Sequence, residues 1–91
     1  MQFIYRVHAV TRMFQREISN REVESVILTG TCIEQYDEDT PYPSALYMKQ
    51  IGERYLHVVA AIDDENHHVV ITAYEPNLEK WHKDRKTRKD N

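Results

Sequence analysis

The sequence predicts an α+β fold in which two N-terminal helices pack on a four-stranded antiparallel sheet, followed by a short C-terminal helical turn and a basic tail. Apolar residues recur at helical spacing in two early segments. Later segments are rich in β-forming residues, and polar turn residues separate the last two of them. We therefore expect one domain over residues 1–82 and a basic, flexible tail over residues 83–91.

The first helix is predicted over residues 5–16, with two distinct sides. Four residues at helical spacing predict its apolar side: Val7, Val10, Met13 and Phe14. His8, Arg12 and Arg16 follow at intervals of four residues and share a second stripe. Because three potential cations in a row repel one another, we expect an anion or an acidic neighbour opposite this stripe. A solvated stripe is an equally good interpretation.

The second helix is predicted over residues 20–29 and has a clear start signal. Ser19 is followed three residues later by Glu22, which is the pattern of a capping box. Gly30 stands where a helix often ends on a glycine in the left-handed conformation. The predicted apolar side has three members: Val23, Val26 and Ile27.

Residues 55–76 predict a long β-hairpin with its turn at residues 63–66. An apolar face results when three pairs lie opposite one another: Ile62 with Val69, Ala60 with Ile71, and Val58 with Ala73. The same register places His57 directly across from Tyr74, with Thr72 on that second face.

The strand before the hairpin is predicted over residues 45–51, and an earlier one over residues 31–36. If the connection at residues 52–54 is a three-residue loop, Lys49 lies opposite His57. A two-residue loop would exchange the two faces of that strand, so the sequence leaves the position of Lys49 open.

The C-terminal part is predicted to begin with a short helical turn. Asn77 is placed to cap this turn, which would hold Leu78 and Trp81. We expect Trp81 to cover an edge of the sheet. Residues 83–91 contain no apolar residue, which is typical of a frayed, basic tail.

Composition and charge restrict the class of protein. The chain has 91 residues, 41% of them hydrophobic, which fits one small folded domain. A single cysteine and the lack of a signal peptide or membrane span predict a cytoplasmic protein. The net charge is −3, but residues 80–91 are basic and residues 31–79 are strongly acidic. An RNA partner would therefore meet the N-terminal helices and the tail.

The His57 and Tyr74 pair is the leading candidate for chemistry. Imidazole titrates near neutral pH and a phenol can donate or orient a proton, so the pair suits general acid–base catalysis. With Arg12 or Lys49 as a cation, the set could attack and stabilise a phosphodiester. The alternative is a pair of polar aromatic residues that only packs across the strands.

Other motifs are weaker. Tyr42 lies between two prolines and could stack on a base, although an edge-packed tyrosine is an equal alternative. His67 and His68 are adjacent, so their side chains diverge, and the nearby acids lack a familiar ligand spacing. We therefore expect no metal site and no cofactor.

An ordered series of short motifs resembles the bacterial domain-of-unknown-function family 4258. The matching residues are His8-Ala9, Arg12-Met13, Arg16, Ile18-Ser19, Gly30, Ile33-Glu34, Tyr36, Pro41-Tyr42-Pro43, Leu56-His57-Val58-Val59, Ile71-Thr72, Tyr74 and Pro76. That family is similar to the RelE/barnase/colicin-like superfamily of small RNase toxins. The resemblance implies a toxin-like domain that cleaves RNA without a metal, by attack of a 2′-hydroxyl on the adjacent phosphate.

The resemblance also implies a set of site residues, because four residues match polar motif positions of the family: His8, Arg12, His57 and Tyr74. The roles are our assignment: His57 would act as general base or acid with Tyr74 as its partner, Arg12 would hold the phosphate charge, and His8 would be a second proton-transfer group or phosphate donor. Further substrate contacts are expected from four residues: Arg16, Lys49, Thr72 and Tyr42. RNA would be the substrate, an antitoxin protein a possible partner, and no membrane is involved. The alternatives are a non-catalytic protein-binding adaptor and a nucleic-acid-binding protein without turnover.

Overall fold

Two helices lie against one face of a five-stranded mixed sheet, which makes the fold α+β. The computed structural model describes residues 2–90. The elements in chain order are β1 Phe3–Tyr5, α1 Val7–Gln15, α2 Asn20–Thr29, β2 Thr31–Tyr36, β3 Ser44–Ile51, β4 Arg54–Ile62 and β5 His68–Tyr74. The strand order across the sheet is β1-β5-β4-β3-β2. Neither helix in residues 2–90 is long and apolar enough to cross a bilayer.

The expectation of four antiparallel strands was wrong by one strand. β1 pairs with β5 in parallel, with Phe3 opposite His68, and the other neighbours in the sheet are antiparallel. The additional strand, β1, ends at Tyr5, where the first helix was predicted to begin. Because its partner comes from the far end of the chain, no local sequence pattern could reveal the pairing.

The first helix packs through a different side from the one predicted. α1 buries Ala9 and Met13, whereas Val7, Val10 and Phe14 are 80%, 52% and 85% exposed. Ala9 is fully buried, and its small side chain lets the helix lie close to the sheet. Only Met13 of the predicted apolar side belongs to the core.

The second helix confirms its prediction. α2 begins after a complete capping box, in which Ser19 Oγ accepts from the Glu22 amide and the Glu22 carboxylate accepts from the Ser19 amide. Its three predicted apolar residues are buried. Gly30 ends the helix in extended rather than left-handed backbone, with φ −82°. A glycine is needed because a Cβ here would meet the carbonyl oxygens of Val26 and Met48.

The main core lies between the helices and one face of the sheet. It contains eleven buried residues: Ala9, Met13, Ile18, Val23, Val26, Ile27, Leu56, Val58, Ala60, Val70 and Ala73. Buried residues outside this cluster include Leu46, Met48, His57 and Trp81. Leu46 and Met48 pair with Val59 and His57, so they lie on the opposite face of the sheet. Apolar surface is thus buried on both faces.

The β4–β5 hairpin follows the predicted register for only half its length. His57 lies opposite Tyr74 and Val58 opposite Ala73, as predicted. Beyond Val59 a β-bulge shifts the pairing by one residue. The predicted pairs of Ile62 and Ala60 are therefore wrong, and these residues lie opposite His68 and Val70 instead. The bulge turns Val70 into the core in place of the predicted Val69 and Ile71.

The connection between β3 and β4 is the two-residue loop. Ile51 pairs with Arg54 around Gly52 and Glu53, and Gly52 has a φ of +62°. As a result Met48, not Lys49, lies opposite His57. Lys49 points toward α2, where Nζ donates to Ser25 Oγ at 2.8 Å and Thr29 Oγ1 at 2.6 Å.

The segment after β5 folds over the sheet face that carries His57. The side-chain oxygen of Asn77 accepts from the amides of Glu79 and Lys80, so Asn77 caps as predicted. The capped segment is one turn and not a helix, closed by the bond from the Trp81 amide to the Asn77 carbonyl. Three more main-chain hydrogen bonds close residues 80–89 into a loop. The amides of His82, Arg85 and Lys89 donate to the carbonyls of Thr87, His82 and Lys80, respectively.

Candidate functional site

An open cavity of about 490 Å³ lies where the end of β5 meets the end of α1 and the C-terminal segment. We call it the Tyr74 cavity. Its lining residues are Arg16, Tyr74, Glu75, Asn77, Lys80, Trp81 and Arg88. Two polar groups of the predicted site, Arg16 and Tyr74, therefore share one wall of this cavity.

Arg16 is held at the cavity by the free edge of β5. β1 pairs only with residues 68–70 of β5, so the later carbonyl of Ala73 is left without a strand partner on that side. Nη1 of Arg16 donates to this carbonyl at 2.8 Å. Because Arg16 is the residue that caps α1, the edge of the sheet and the end of the helix together fix the guanidinium beside Tyr74.

Tyr74 forms the border between the cavity and His57. Nε2 of His57 lies 2.6 Å from the carbonyl oxygen of Arg85, which can only accept, so Nε2 carries the proton. In the neutral ring Nδ1 then accepts from the Tyr74 hydroxyl, 3.2 Å away. The ring of Trp81 covers the imidazole edge-on at 4.5 Å between centroids.

His57 is fully buried, and this affects its proton affinity. Burial lowers the pKa of His57 below its ordinary value, although the hydrogen bond to the Arg85 carbonyl opposes the shift. Burial also raises the pKa of Tyr74. Both groups are therefore held in their neutral forms near pH 7, and only Tyr74 of the two lines the cavity.

Arg88 closes the far wall of the cavity. Its guanidinium lies over the Trp81 ring, 4.5 Å from the centroid, and donates to both carboxylate oxygens of Glu34 at 2.9 and 3.2 Å. Burial would raise the pKa of Glu34, but hydrogen bonds from Arg88 and Tyr36 outweigh it and hold that pKa below its ordinary value. Burial and the hydrogen bond to Glu34 raise the pKa of Tyr36 to about 12.

The cavity is locally basic in an acidic protein. Three cationic side chains line it, from Arg16, Lys80 and Arg88, against the single acid Glu75. The charge of Arg88 is paired with Glu34, which leaves Arg16 and Lys80 as the cations without a carboxylate partner among the described residues. The Glu75 carboxylate accepts a hydrogen bond from Arg54 at 3.3 Å, so part of its charge is already paired. The whole chain carries −3, and this excess of cations therefore favours an anionic ligand at this one place.

The remaining predicted site residues do not meet at the cavity. Arg12 and His8 are exposed on α1, are not among the cavity residues, and make no side-chain hydrogen bond or ion pair with residues 2–90. Thr72 pairs with Val59, on the face that carries Tyr74, as predicted. Lys49 lies on the opposite face of the sheet. Its expected place beside His57, which required a three-residue loop, is therefore wrong.

Tyr42 lies at the other end of the sheet. Its hydroxyl donates to Asp64 at 3.3 Å, in the turn between β4 and β5. His57 precedes the end of β4 by five residues, which is roughly 16 Å of extended strand. Tyr42 therefore cannot stack on a base held in the Tyr74 cavity without a ligand that spans this distance.

The sequence reasoning missed the contribution of the C-terminal segment. Lys80, Trp81 and Arg88 are three of the seven residues that line the cavity, and the Arg85 carbonyl fixes the tautomer of His57. Arg85 has a φ of +58°, and its guanidinium stacks over Tyr55 at 4.2 Å. The signal in the sequence was the lone Trp81 followed by arginines at residues 85 and 88, which can stack on aromatic rings and pair with acids.

The residues of this site do not form a metal centre. In the part of the chain that the structure describes, no three His, Cys, Asp or Glu side chains come together as a metal-binding group. Three of the seven residues that line the cavity are positively charged hydrogen-bond donors, which attract anions rather than cations.

One comparison with known proteins gave a match. The model of a family described as Domain of unknown function (DUF4258) matches residues 5–75. The matched range includes Arg16, His57 and Tyr74 and ends before Asn77. No curated protein and no solved structure matches the chain. The Tyr74 cavity is thus built partly from the matched region and partly from the segment after it.

Proposed function

The chain belongs to the family described as Domain of unknown function (DUF4258), and for this member we propose the function of a metal-independent endoribonuclease of the toxin–antitoxin type, acting in the Tyr74 cavity. The observation that supports this most is a cavity lined by cationic side chains together with Tyr74, whose hydroxyl is hydrogen-bonded to His57. The sequence resemblance to the RelE/barnase/colicin-like superfamily supports the same reaction class.

The cations would supply the electrostatic part of catalysis. A phosphodiester under attack by a 2′-hydroxyl gathers negative charge on its non-bridging oxygens. Guanidinium and ammonium groups that are already fixed at that point stabilise this charge, and loss of one such donor commonly costs a hundredfold or more in rate, about 2.7–4 kcal/mol. Arg16 takes the role assigned to Arg12 from sequence, because Arg16 lines the cavity and Arg12 does not.

Tyr74 would carry the proton between the substrate and His57. The 2′-hydroxyl passes its proton to the Tyr74 oxygen while the Tyr74 proton moves to Nδ1 of His57. The 2′-oxygen then bonds to phosphorus, and the bond from phosphorus to the 5′-oxygen breaks. His57 returns its proton through Tyr74 to the leaving 5′-oxygen, which gives a 2′,3′-cyclic phosphate and a 5′-hydroxyl. In this scheme Tyr74 contacts the substrate, and His57 positions the Tyr74 hydroxyl and accepts its proton.

Arg12 and His8 keep a supporting role in this proposal. Arg12 precedes Arg16 by one helical turn, about 6 Å, and His8 precedes it by another. Both side chains are exposed, so they could bind phosphates of an RNA that leaves the cavity along α1.

The proposal is tested by incubating the protein with a single-stranded RNA in the presence of EDTA. We expect cleavage that leaves 2′,3′-cyclic phosphate ends, and no cleavage when a 2′-deoxy residue replaces the nucleotide 5′ of the cut. Tyr74→Phe removes one hydroxyl and should reduce the rate at least about a hundredfold. Tyr42→Phe is the matched control and should retain the rate. The absence of cleavage by the wild-type protein, with and without magnesium, refutes the endoribonuclease.

One observation favours a second candidate, a non-catalytic protein-binding adaptor. His57 is fully buried and both ring nitrogens already have partners, as in a packed structural histidine. The adaptor predicts that neither Tyr74→Phe nor Arg16→Gln changes any RNA-dependent readout, including growth arrest on expression. Growth arrest that Tyr74→Phe abolishes would favour the endoribonuclease and a neutralising antitoxin partner.

A further inference from the structure

A second cavity, of about 620 Å³, adjoins the Tyr74 cavity on the C-terminal segment. It is lined by Leu78, Trp81 and His82 and by the charged side chains of Lys83, Asp84 and Lys89. We call it the Leu78 cavity. Trp81 lines both cavities, so the two meet at this residue. One chain-like ligand can therefore occupy both of them.

The Leu78 cavity is formed by an ordered hairpin and not by a free tail. The hairpin covers residues 80–89, with Trp81 opposite Arg88 in an antiparallel bridge. Main-chain hydrogen bonds of 2.9 Å flank this bridge on both sides, and Trp81 anchors the hairpin with only 2% of its surface exposed. Because the hairpin is already ordered, its side chains can bind a ligand without the entropy cost of ordering a flexible segment.

The hairpin places two like charges directly opposite each other. Lys80, at the Tyr74 cavity, lies across from Lys89, at the Leu78 cavity, and the Lys89 amide donates to the Lys80 carbonyl. Residues directly opposite in an antiparallel pair have Cβ atoms about 4.5–5.5 Å apart, and like charges in such a pair destabilise it. Neither ammonium group has a carboxylate partner in the part of the chain that the structure describes. An anion bound beside them would offset this repulsion.

The Leu78 cavity itself has an excess of positive charge. Lys83 and Lys89 line it, and neither forms an ion pair within residues 2–90. Asp84 is the only acid among the lining residues. Its carboxylate already accepts hydrogen bonds from the amides of Lys86 and Thr87 and from the Thr87 hydroxyl, and these bonds to the amides hold the pKa of Asp84 below its ordinary value. The two lysines therefore remain available to an external anion.

We propose that the Leu78 cavity binds a second nucleotide of an RNA strand whose scissile phosphate lies in the Tyr74 cavity. This inference rests on the proposed function. Lys83 and Lys89 bind the phosphate next to the scissile one, and the exposed apolar side chain of Leu78 contacts the base or ribose. Lys80 lies between the two phosphates, so the cations follow the RNA backbone as they do in single-strand-binding grooves.

An RNA strand fits the two cavities better than other anionic partners do. Leu78, at 44% exposure, is the one exposed large apolar residue in residues 77–90, so the hairpin offers a lipid surface little area for insertion. The carboxylate side chains of an acidic peptide are much smaller than a nucleotide and would leave most of each cavity empty. RNA alternates a charged phosphate with a bulky nucleoside, which matches two contiguous cavities with cations at each.

The test measures the binding of uncleavable 2′-O-methyl RNA to the full chain. A dinucleotide has a single phosphodiester and should change the amide chemical shifts of the Tyr74 cavity alone, whereas a hexanucleotide should also change those of residues 82–89. Lys83→Gln combined with Lys89→Gln should weaken the hexanucleotide at least about tenfold and reduce the salt slope of its affinity by about 1.4. Arg6→Gln combined with Arg21→Gln is the matched control. It removes the same charge from two exposed arginines that line neither cavity, and it should bind like the wild type.

Several results overturn the proposal: equal loss of affinity in the two double variants, or hexanucleotide shift changes that stop at the Tyr74 cavity. A glutamate decapeptide that binds as tightly as the hexanucleotide would assign the Leu78 cavity to a protein partner instead. Sedimentation with anionic phosphatidylglycerol vesicles that the lysine variant abolishes would assign it to a lipid surface.

The failure of this inference is distinguishable from the failure of the proposed function. Cleavage of ordinary RNA by a lysine variant whose hexanucleotide affinity is unchanged refutes the second nucleotide site and keeps the endoribonuclease. Hexanucleotide binding across both cavities without cleavage of ordinary RNA by the wild type refutes the endoribonuclease and keeps the second nucleotide site.

Discussion

Nε2 of His57 donates to the main-chain carbonyl of Arg85 at 2.6 Å, which joins the middle of the sheet to the C-terminal segment. Arg85 adopts the left-handed conformation, with φ +58°, to present that carbonyl. A non-glycine residue holds this backbone shape only when its surroundings stabilise it. The bond fixes one tautomer of a buried imidazole and so directs its free nitrogen toward Tyr74.

The burial of His57 predicts that the protein loses stability in mild acid. Because burial lowers the folded pKa, the unfolded chain binds more protons at pH values between the folded pKa and the unfolded value of about 6.5. The stabilising contribution is complete above about pH 6.5 and falls as the pH decreases toward the folded pKa. We expect the wild-type melting temperature to decrease between about pH 7.5 and pH 5.5.

Two variants assign this pH dependence. His57→Gln should melt at a lower temperature at pH 7.5 but show a shallower decrease toward acid. Burial also lowers the pKa of His68, so this residue makes its own contribution to the pH dependence of stability. His68→Gln should remove that contribution and retain the decrease in melting temperature that is due to His57. A His57→Gln variant with the full wild-type slope would contradict the assignment.

Trp81 is predicted to hold the C-terminal segment on the sheet. It is 2% exposed, packs on His57 and lies under Arg88. Trp81→Ala should lower the free energy of unfolding by about 3–5 kcal/mol, because it removes a large buried ring and leaves a cavity. Leu78→Ala, at an exposed neighbour, should change it by about 0.5 kcal/mol or less. Urea denaturation measures both, and similar values for the two variants would contradict this role of Trp81.

The two glycines are predicted to respond to substitution for different reasons. Gly30→Ala would press a methyl group against the carbonyls of Val26 and Met48, and should cost about 3 kcal/mol because the backbone must shift to admit it. Gly52 has open space around it but a φ of +62°, so Gly52→Ala should cost only about 1–2 kcal/mol. Gly52→Asn should recover part of that loss. A larger loss from Gly52→Ala than from Gly30→Ala would refute this explanation.

Local patterns in the sequence predicted local structure well. The capping box of Ser19 and Glu22 defined the start of α2, and alternation in β4 and β5 placed His57 opposite Tyr74. These features depend on residues close in sequence or joined by one hairpin. Their energies are decided within a few residues, so periodicity and turn chemistry suffice.

Features decided by distant contacts were missed. The pairing of β1 with β5 and the buried side of α1 each depend on segments far apart in the chain. The bulge beyond Val59 lies within the β4–β5 hairpin, but no turn or periodicity signal in the sequence marks it. α1 shows the problem most clearly, because its most apolar stripe faces outward and Ala9 lies at the core. Val7, Val10 and Phe14 follow the pattern of a buried helix side, but the packing of α1 on the sheet leaves them exposed.

Only part of the candidate site was predicted, because the cavity brings together segments that are far apart in the chain. Tyr74 and Arg16 were named from sequence, and both line the cavity. The stripe of His8, Arg12 and Arg16 exists, but only Arg16, at the C-terminal end of α1, lines the cavity with Tyr74, because that end of the helix lies beside the end of β5. Lys80 was given no role at the site, and Arg88 was assigned to the tail, although the contacts of Arg88 with Glu34 and Trp81 hold part of that segment against the sheet.

The binding of RNA phosphate in the Tyr74 cavity is the central claim, and the salt dependence of RNA affinity tests it most directly. Fluorescence anisotropy with a labelled single-stranded RNA gives the slope of log affinity against log salt, and each phosphate bound by a cation contributes about 0.7 to that slope. Arg16→Gln combined with Lys80→Gln should reduce the magnitude of the slope by about 1.4. Lys49→Gln, on the opposite face of the sheet, should leave it unchanged. Absence of RNA binding by the wild type, or a slope that Lys49→Gln reduces as much as the double variant does, would contradict the claim.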